Sequence, residues 1–120
     1  VQREQELHMK SVLKADRPFP APPFPGNEFI KPITTPGALK YEGSGKVMDN
    51  CVGGRNYFRR VINGECYIYR VYKPQRCTLE IERTSSGHWR ISQLKLRQNA
   101  SPRPETRNMV QRWLKQEQKK

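Results

Sequence analysis

The spacing of apolar positions changes along this chain, and each change marks an element. Residues 77–83 (CTLEIER) alternate, with Cys77, Leu79 and Ile81 on one side and Thr78, Glu80 and Glu82 on the other. That period of two predicts a strand with two unlike faces. Residues 66–73 (CYIYRVYK) and 88–96 (HWRISQLKL) flank it and are rich in β-branched and aromatic residues, which favour strands. The turns Lys73-Pro74-Gln75-Arg76 and 84–87 (TSSG) are too short for a crossover, so the three strands form an antiparallel meander. After Ser101-Pro102-Arg103-Pro104 the period becomes helical. Thr106, Met109, Val110, Trp113 and Leu114 fall at i, i+3, i+4, i+7 and i+8, predicting an amphipathic helix over 104–116 that buries its stripe on the sheet.

Upstream the pattern is weaker. Residues 1–14 lack helix breakers and read as a short helix. Residues 15–29 carry Pro18, Pro20, Pro22, Pro23 and Pro25, which exclude helix and ladder pairing and predict an extended linker. Phe19 and Phe24 are placed to pin it to a core. Residues 30–43 read as a short extended piece followed by a helix, with Thr35 as N-cap, Pro36 in the first turn and Gly43 or Gly45 at the end. Residues 46–63 read as two helical pieces joined near Gly53-Gly54, the second with Tyr57, Phe58, Val61 and Ile62 on one face. The expected fold is α+β. A three-stranded antiparallel β-meander packs with N-terminal short helices and a C-terminal amphipathic helix; residues 1–29 form an arm and 30–120 the domain.

Composition sharpens this picture. Apolar residues make up 34% of the 120, below the ~45–50% of an average globular domain, so the core is small and part of the chain lies outside it. The formal net charge is +12, and it is lopsided. Residues 1–54 hold seven Lys/Arg and six Asp/Glu, whereas residues 55–120 hold sixteen and five, a balance of +11. These basic residues interleave with Tyr, Trp, Ile and Leu, so they decorate folded elements rather than a tail. A folded basic face is the footprint of a nucleic-acid binder, with Arg55, Arg59, Arg60, Arg70, Lys73, Arg76, Arg107 and Arg112 as phosphate contacts. An acidic protein surface is the other partner that this charge fits.

No apolar run reaches ~18 residues, so no membrane span is expected, and no leader pattern is present. Cys51, Cys66 and Cys77 are odd in number and lack CxxC spacing. Reduced thiols in a cytoplasmic protein are the simpler reading. His8 and His88 lack a second ligand at metal spacing, so neither a metal nor a cofactor is expected. The first residue is Val rather than Met, as in a processed or partial chain.

Four polar residues fit simple core or surface roles poorly. Cys51, before Gly53-Gly54 and Arg55, has the setting of an activated thiol, although a small buried core residue has the same look. The double glycine fits close approach of the backbone to another element or to a phosphate. Glu80 sits mid-strand; if a helix covers its face it needs a partner, and Arg90 on the neighbouring strand is placed to serve. Gln93 is in phase with the core-facing Trp89 and Ile91. Asn99 follows as a cap or a functional group. Tyr67 and Tyr69 share one strand face, where aromatics beside arginines can stack bases, or can simply form sheet.

Pro32-Ile33-Thr34-Thr35, Leu39, Glu42-Gly43, Met48, Asn50-Cys51-Val52, Tyr57, Gly64-Glu65-Cys66, Ile68-Tyr69, Thr78-Leu79-Glu80-Ile81, Trp89, Gln93 and Asn99 occur in an order that resembles the PcfJ-like family of conjugative plasmids. The likeness runs over about residues 30–115. It implies a plasmid, phage or other mobile-element context and brings no defined reaction. In the family pattern a histidine commonly precedes the cysteine; Asn50 stands there in this chain, which argues against a Cys–His pair. Three functions follow as expectations: a nucleic-acid-binding domain, an enzyme acting on nucleic acid or nucleotides through Cys51, Glu80, Gln93 and Asn99, or a module that binds an acidic host protein.

Overall fold

The structure, a computed structural model, describes residues 17–120, apart from the side chains at positions 51 and 55. The helix expected over residues 1–14 lies outside the described residues. The elements run β1 (Ile30–Pro32), α1 (Pro36–Gly43), a 3-10 turn (Cys51–Gly53), α2 (Arg55–Ile62), β2 (Cys66–Val71), β3 (Cys77–Arg83), β4 (Trp89–Lys95), a second 3-10 turn (Arg97–Asn99) and α3 (Pro104–Lys119). The fold is α+β, as the periodicity implies.

The sheet has four strands, not three, in the order β1-β2-β3-β4 and all antiparallel. The extra strand is Ile30–Pro32, which pairs with Tyr69–Val71. Three residues between prolines give no periodic signal, and Pro32 is tolerated because β1 is an edge. The Asn27 carboxamide builds the entry: its Oδ1 accepts from the backbone N–H groups of Phe29 at 2.8 Å and Ile30 at 2.9 Å.

Strands β2 and β3 are covered on both sides. Tyr67, Tyr69 and Val71 of β2 and Leu79 and Ile81 of β3 face α3 and the Pro-rich arm, where Val110, Trp113 and Leu114 are buried. The Trp113 ring sits edge-on to Tyr69 at 5.3 Å and to Phe24 at 6.0 Å, a favoured aromatic geometry. The tyrosine hydroxyls hold the arm, Tyr67 donating to Pro20 O at 2.9 Å and Tyr69 to Phe24 O at 2.7 Å. Both rings are buried, so the base-stacking role considered for them is ruled out. They are core residues with one polar end satisfied.

The opposite face carries Ile68, Arg70, Thr78 and Glu80 beneath α1 and α2. Double coverage explains why Cys77 through Ile81 are all buried although the sequence alternates. Of the double glycine, Gly53 makes a close backbone approach to α1. A Cβ on Gly43 would lie 2.4 Å from Gly53 N, and one on Gly53 would lie 3.1 Å from Lys40 O. Thr35 caps α1 as expected, its hydroxyl accepting from Ala38 N at 3.1 Å.

Trp113→Ala removes the side chain that joins the arm, β2 and α3. We expect a loss of about 3–5 kcal/mol, typical of a buried tryptophan truncation, read as a lower urea midpoint with an unchanged slope.

Candidate nucleic-acid interface

Two buried carboxylates organise the polar face of the sheet. Glu42, on the inner side of α1 three residues after Leu39, is fully buried. Thr78 donates to its Oε2 at 2.6 Å, Arg70 Nε donates to its Oε1 at 3.1 Å, and Arg76 Nη2 makes a further short contact to Oε1. Asn50 extends the network by donating Nδ2 to Thr78 Oγ1 at 3.2 Å, while its Oδ1 accepts from Val52 N at 3.1 Å.

Glu80, 3% exposed, is the second. Arg60 of α2 reaches it, with Nη1 2.6 Å from Glu80 Oε2. The expected partner, Arg90, instead pairs with Glu82 at 2.7 Å. Glu82 lies opposite Arg90 in the β3–β4 register, two pairs along the ladder from Glu80, so Arg90 serves Glu82 instead. The Arg60 guanidinium and the Cys66 thiol are set against the Glu80 carboxylate, whose two oxygens are closed to solvent. Burial pushes the Cys66 thiol up to about 12, and the neighbouring Glu80 carboxylate adds to the rise. Burial likewise raises Cys77 to about 11.

The alternation of β4 is broken. Glu80 pairs with Gln93 but Ile81 pairs with Ile91, so Ser92 is an extra residue on β4. Such a bulge reverses the facing of everything beyond it. Gln93 therefore leaves the core phase expected for it and faces the polar side, exposed, with Nε2 donating to Tyr57 Oη at 3.3 Å.

These residues line a small cleft of about 20 Å³ formed by Asn50, Val52, Tyr57, Thr78, Glu80, Gln93, Lys95 and Asn99. Three of the four sequence-selected polar residues, Glu80, Gln93 and Asn99, are thus brought together; the Cys51 side chain is not described, although its backbone neighbours supply the wall. One side is closed by the Arg97–Asn99 turn, which docks on the loop after α1 through Arg97 to Val47 O at 2.7 Å and Gly45 O at 2.8 Å. Asp49, Gln98 and Asn99 all have positive φ there, 47°, 58° and 62°. Strained backbone gathers where geometry is held for a purpose. Sequence reading missed Asn50, Tyr57, Thr78 and Lys95, although the shared phase of Thr78 and Glu80 carried the signal for Thr78.

The arginines selected as phosphate contacts do not form one surface. Arg60, Arg70 and Arg76 serve the two buried carboxylates. Arg59 is exposed on α2, Lys73 is exposed between β2 and β3, and the Arg55 side chain is not described. Arg112 and Arg107 lie on α3 and line different depressions.

The depression holding Arg107 is an open groove of about 500 Å³ between α3 and the edge strand β4. Arg107, Gln111, Lys115 and Lys119 recur every four residues and form one row along the helix. Leu114 and Ile91 form an apolar floor, and His88 and Gln118 complete the lining, which contains no carboxylate. Gln118 fixes the helix to the strand edge by accepting from Trp89 N at 2.7 Å and donating to Trp89 O at 2.9 Å. The i, i+4 row could have been found in the sequence, but the contribution of His88 needed the turn geometry.

Compared with known protein families, curated proteins and solved structures, the chain has no match. Among the described residues, no group of three or more His, Cys, Asp or Glu is placed to hold a metal, and no helix is long and apolar enough to cross a membrane.

Two outcomes follow. Glu42→Ala strands Arg70, Arg76 and Thr78 and costs about 3–5 kcal/mol in urea denaturation, as when one partner of a buried pair is removed. The thiols stay protonated in the folded state past their unfolded value of about 8.5. Their contribution to stability is full below that pH and is lost as pH rises through about 11 to 12. Native Cys66 and Cys77 should resist a thiol reagent at about pH 8, while urea-unfolded protein reacts; rapid native labelling would contradict this.

Proposed function

We propose that the chain is a nucleic-acid-binding domain, in the mobile-element setting suggested by the PcfJ-like resemblance, and that the groove between α3 and β4 receives the phosphate backbone. The supporting observation is that groove: Arg107, Lys115, Lys119 and His88 line it and no carboxylate does. The row from Arg107 to Lys119 extends roughly 18 Å along the helix, enough for several consecutive phosphates. Its apolar floor and amide side chains give sugars and bases something other than charge to meet. The +11 balance of residues 55–120 adds a long-range attraction that shortens the search for a polyanion.

A second reading, an enzyme acting on nucleic acid or nucleotides, draws on the cleft that joins Glu80, Gln93 and Asn99. A buried carboxylate beside amides and a lysine is suited to holding or moving a proton.

Binding to single-stranded and duplex oligonucleotides should weaken with salt. The triple variant Arg107→Ala, Lys115→Ala, Lys119→Ala should flatten the plot of log affinity against log salt by about 2–3, near one unit per lost phosphate contact. Absence of binding at ~50 mM salt, or a variant with an unchanged slope, would refute the groove assignment.

A further inference from the structure

The outer face of α3 differs from the rest of the basic surface. Asn108, Gln111, Arg112, Lys115 and Lys119 fall at i, i+3, i+4, i+7 and i+11. They lie across the helix from the buried Thr106, Val110, Trp113 and Leu114, and all five are exposed. None of these side chains makes a hydrogen bond or ion pair with a described residue. Elsewhere Arg60, Arg70, Arg76, Arg90 and Arg97 are each spent on a carboxylate or a carbonyl.

A merely solvated helix mixes acids with bases, whose i, i+4 pairs support it. Here no acid stands between Glu105 and Glu117. Those two are answered at the helix ends, by Arg103 at 2.8 Å and Lys120 at 3.2 Å. An acidic protein surface would be met by Lys and Arg alone and would leave the amides without a role. Asn and Gln pair bidentately with the adenine edge, and Arg with the guanine edge, in the major groove of DNA.

The shape agrees. Helix α3 stands between two depressions, the groove along β4 and a second of about 290 Å³ beside the Asn27–Phe29 turn. Glu28 lines the second, so the phosphate strand belongs on the β4 side. A helix about 10–12 Å across fits the major groove of B-DNA, about 12 Å wide. The deep, narrow major groove of duplex RNA does not admit one. Single strands are held by stacking on exposed aromatics, and the large exposed ones, Phe29, Tyr41 and Tyr72, lie outside both α3 and the β4 groove.

We infer that α3 is a recognition helix for duplex DNA: it enters the major groove, Asn108, Gln111 and Arg112 read base edges, and the β4 groove holds one phosphate strand. From Asn108 to Lys115 the helix runs roughly 10 Å, about three base pairs at 3.4 Å each. The inference rests on the nucleic-acid reading above and adds sequence selectivity to it.

The test is selection from a randomised duplex DNA pool, followed by binding at fixed salt. The protein should enrich a motif of about three to four base pairs and bind it about 10- to 100-fold tighter than an unrelated duplex, the range of one good bidentate base contact. Duplex RNA of the same sequence should show no such preference. The double variant Asn108→Ala, Gln111→Ala removes no charge and only exposed side chains. It should lose most of the preference while its plot of log affinity against log salt keeps the wild-type slope. Arg112→Ala should relax selectivity at one position of the motif. Salt-dependent binding without an enriched motif, equal binding of duplex DNA and duplex RNA, or an undiminished preference in the double variant overturns the recognition helix and leaves the groove standing. Binding to single strands alone does the same. Failure to bind any nucleic acid overturns both.

Discussion

Taking a carboxylate out of water costs several kcal/mol unless a cation and hydrogen-bond donors replace the solvent. This domain does so twice on one face of one sheet. Glu42 is brought in by α1 and Glu80 by β3, and the arginines that answer them come from α2, β2 and the β2–β3 turn. Neither helix can leave the sheet without stranding a buried charge. Apolar packing on this face, from Leu39, Phe58, Val61 and Ile68, supplies most of the driving force. The ion pairs decide which register and which helix placement that packing adopts, because a shift by one residue would part charge from counter-charge.

The other face obeys a different rule. There the contacts are aromatic, and the only polar atoms that the tyrosines bring in are hydroxyls answered by carbonyls of the arm. Prolines suit that arm because its chain runs extended beside the sheet and offers carbonyls without needing ladder partners. The sheet is therefore a partition: a dry aromatic layer lies beneath α3, and a charged, hydrogen-bonded layer lies beneath α1 and α2. With both faces covered, access to the sheet is left at its edges. Strand β4 is one such edge, and the basic groove and the polar cleft open on either side of it.

Much of this was legible in the sequence. The β2–β3–β4 meander, the stripe of α3, the Thr35 cap and the two-faced character of β3 all follow from spacing and residue type. The site was legible in part: Glu80, Gln93 and Asn99 stand out as poorly explained polar residues, and they do meet. What escaped depends on distant partners. Strand β1 is too short to carry a period. Three of the arginines seen as a basic surface are spent internally, since nothing local marks Glu42 or Glu80 as needing them. Gln93 was assigned the wrong face because alternation assumes an unbroken ladder, and the extra residue Ser92 has no local signature.

That bulge sets how tolerant the cleft is to different kinds of change. Gln93 and Lys95 are aimed by their partners on β3, not by their own chemistry. Substituting Ser92 leaves that pairing intact. Deleting it would close the bulge: Gln93 would follow Ile91 directly, still opposite Glu80, with Leu94 still opposite Leu79. Along this stretch of β4 the facing of each side chain is held by its pairing with β3, and the extra residue is one that the ladder can carry or lose.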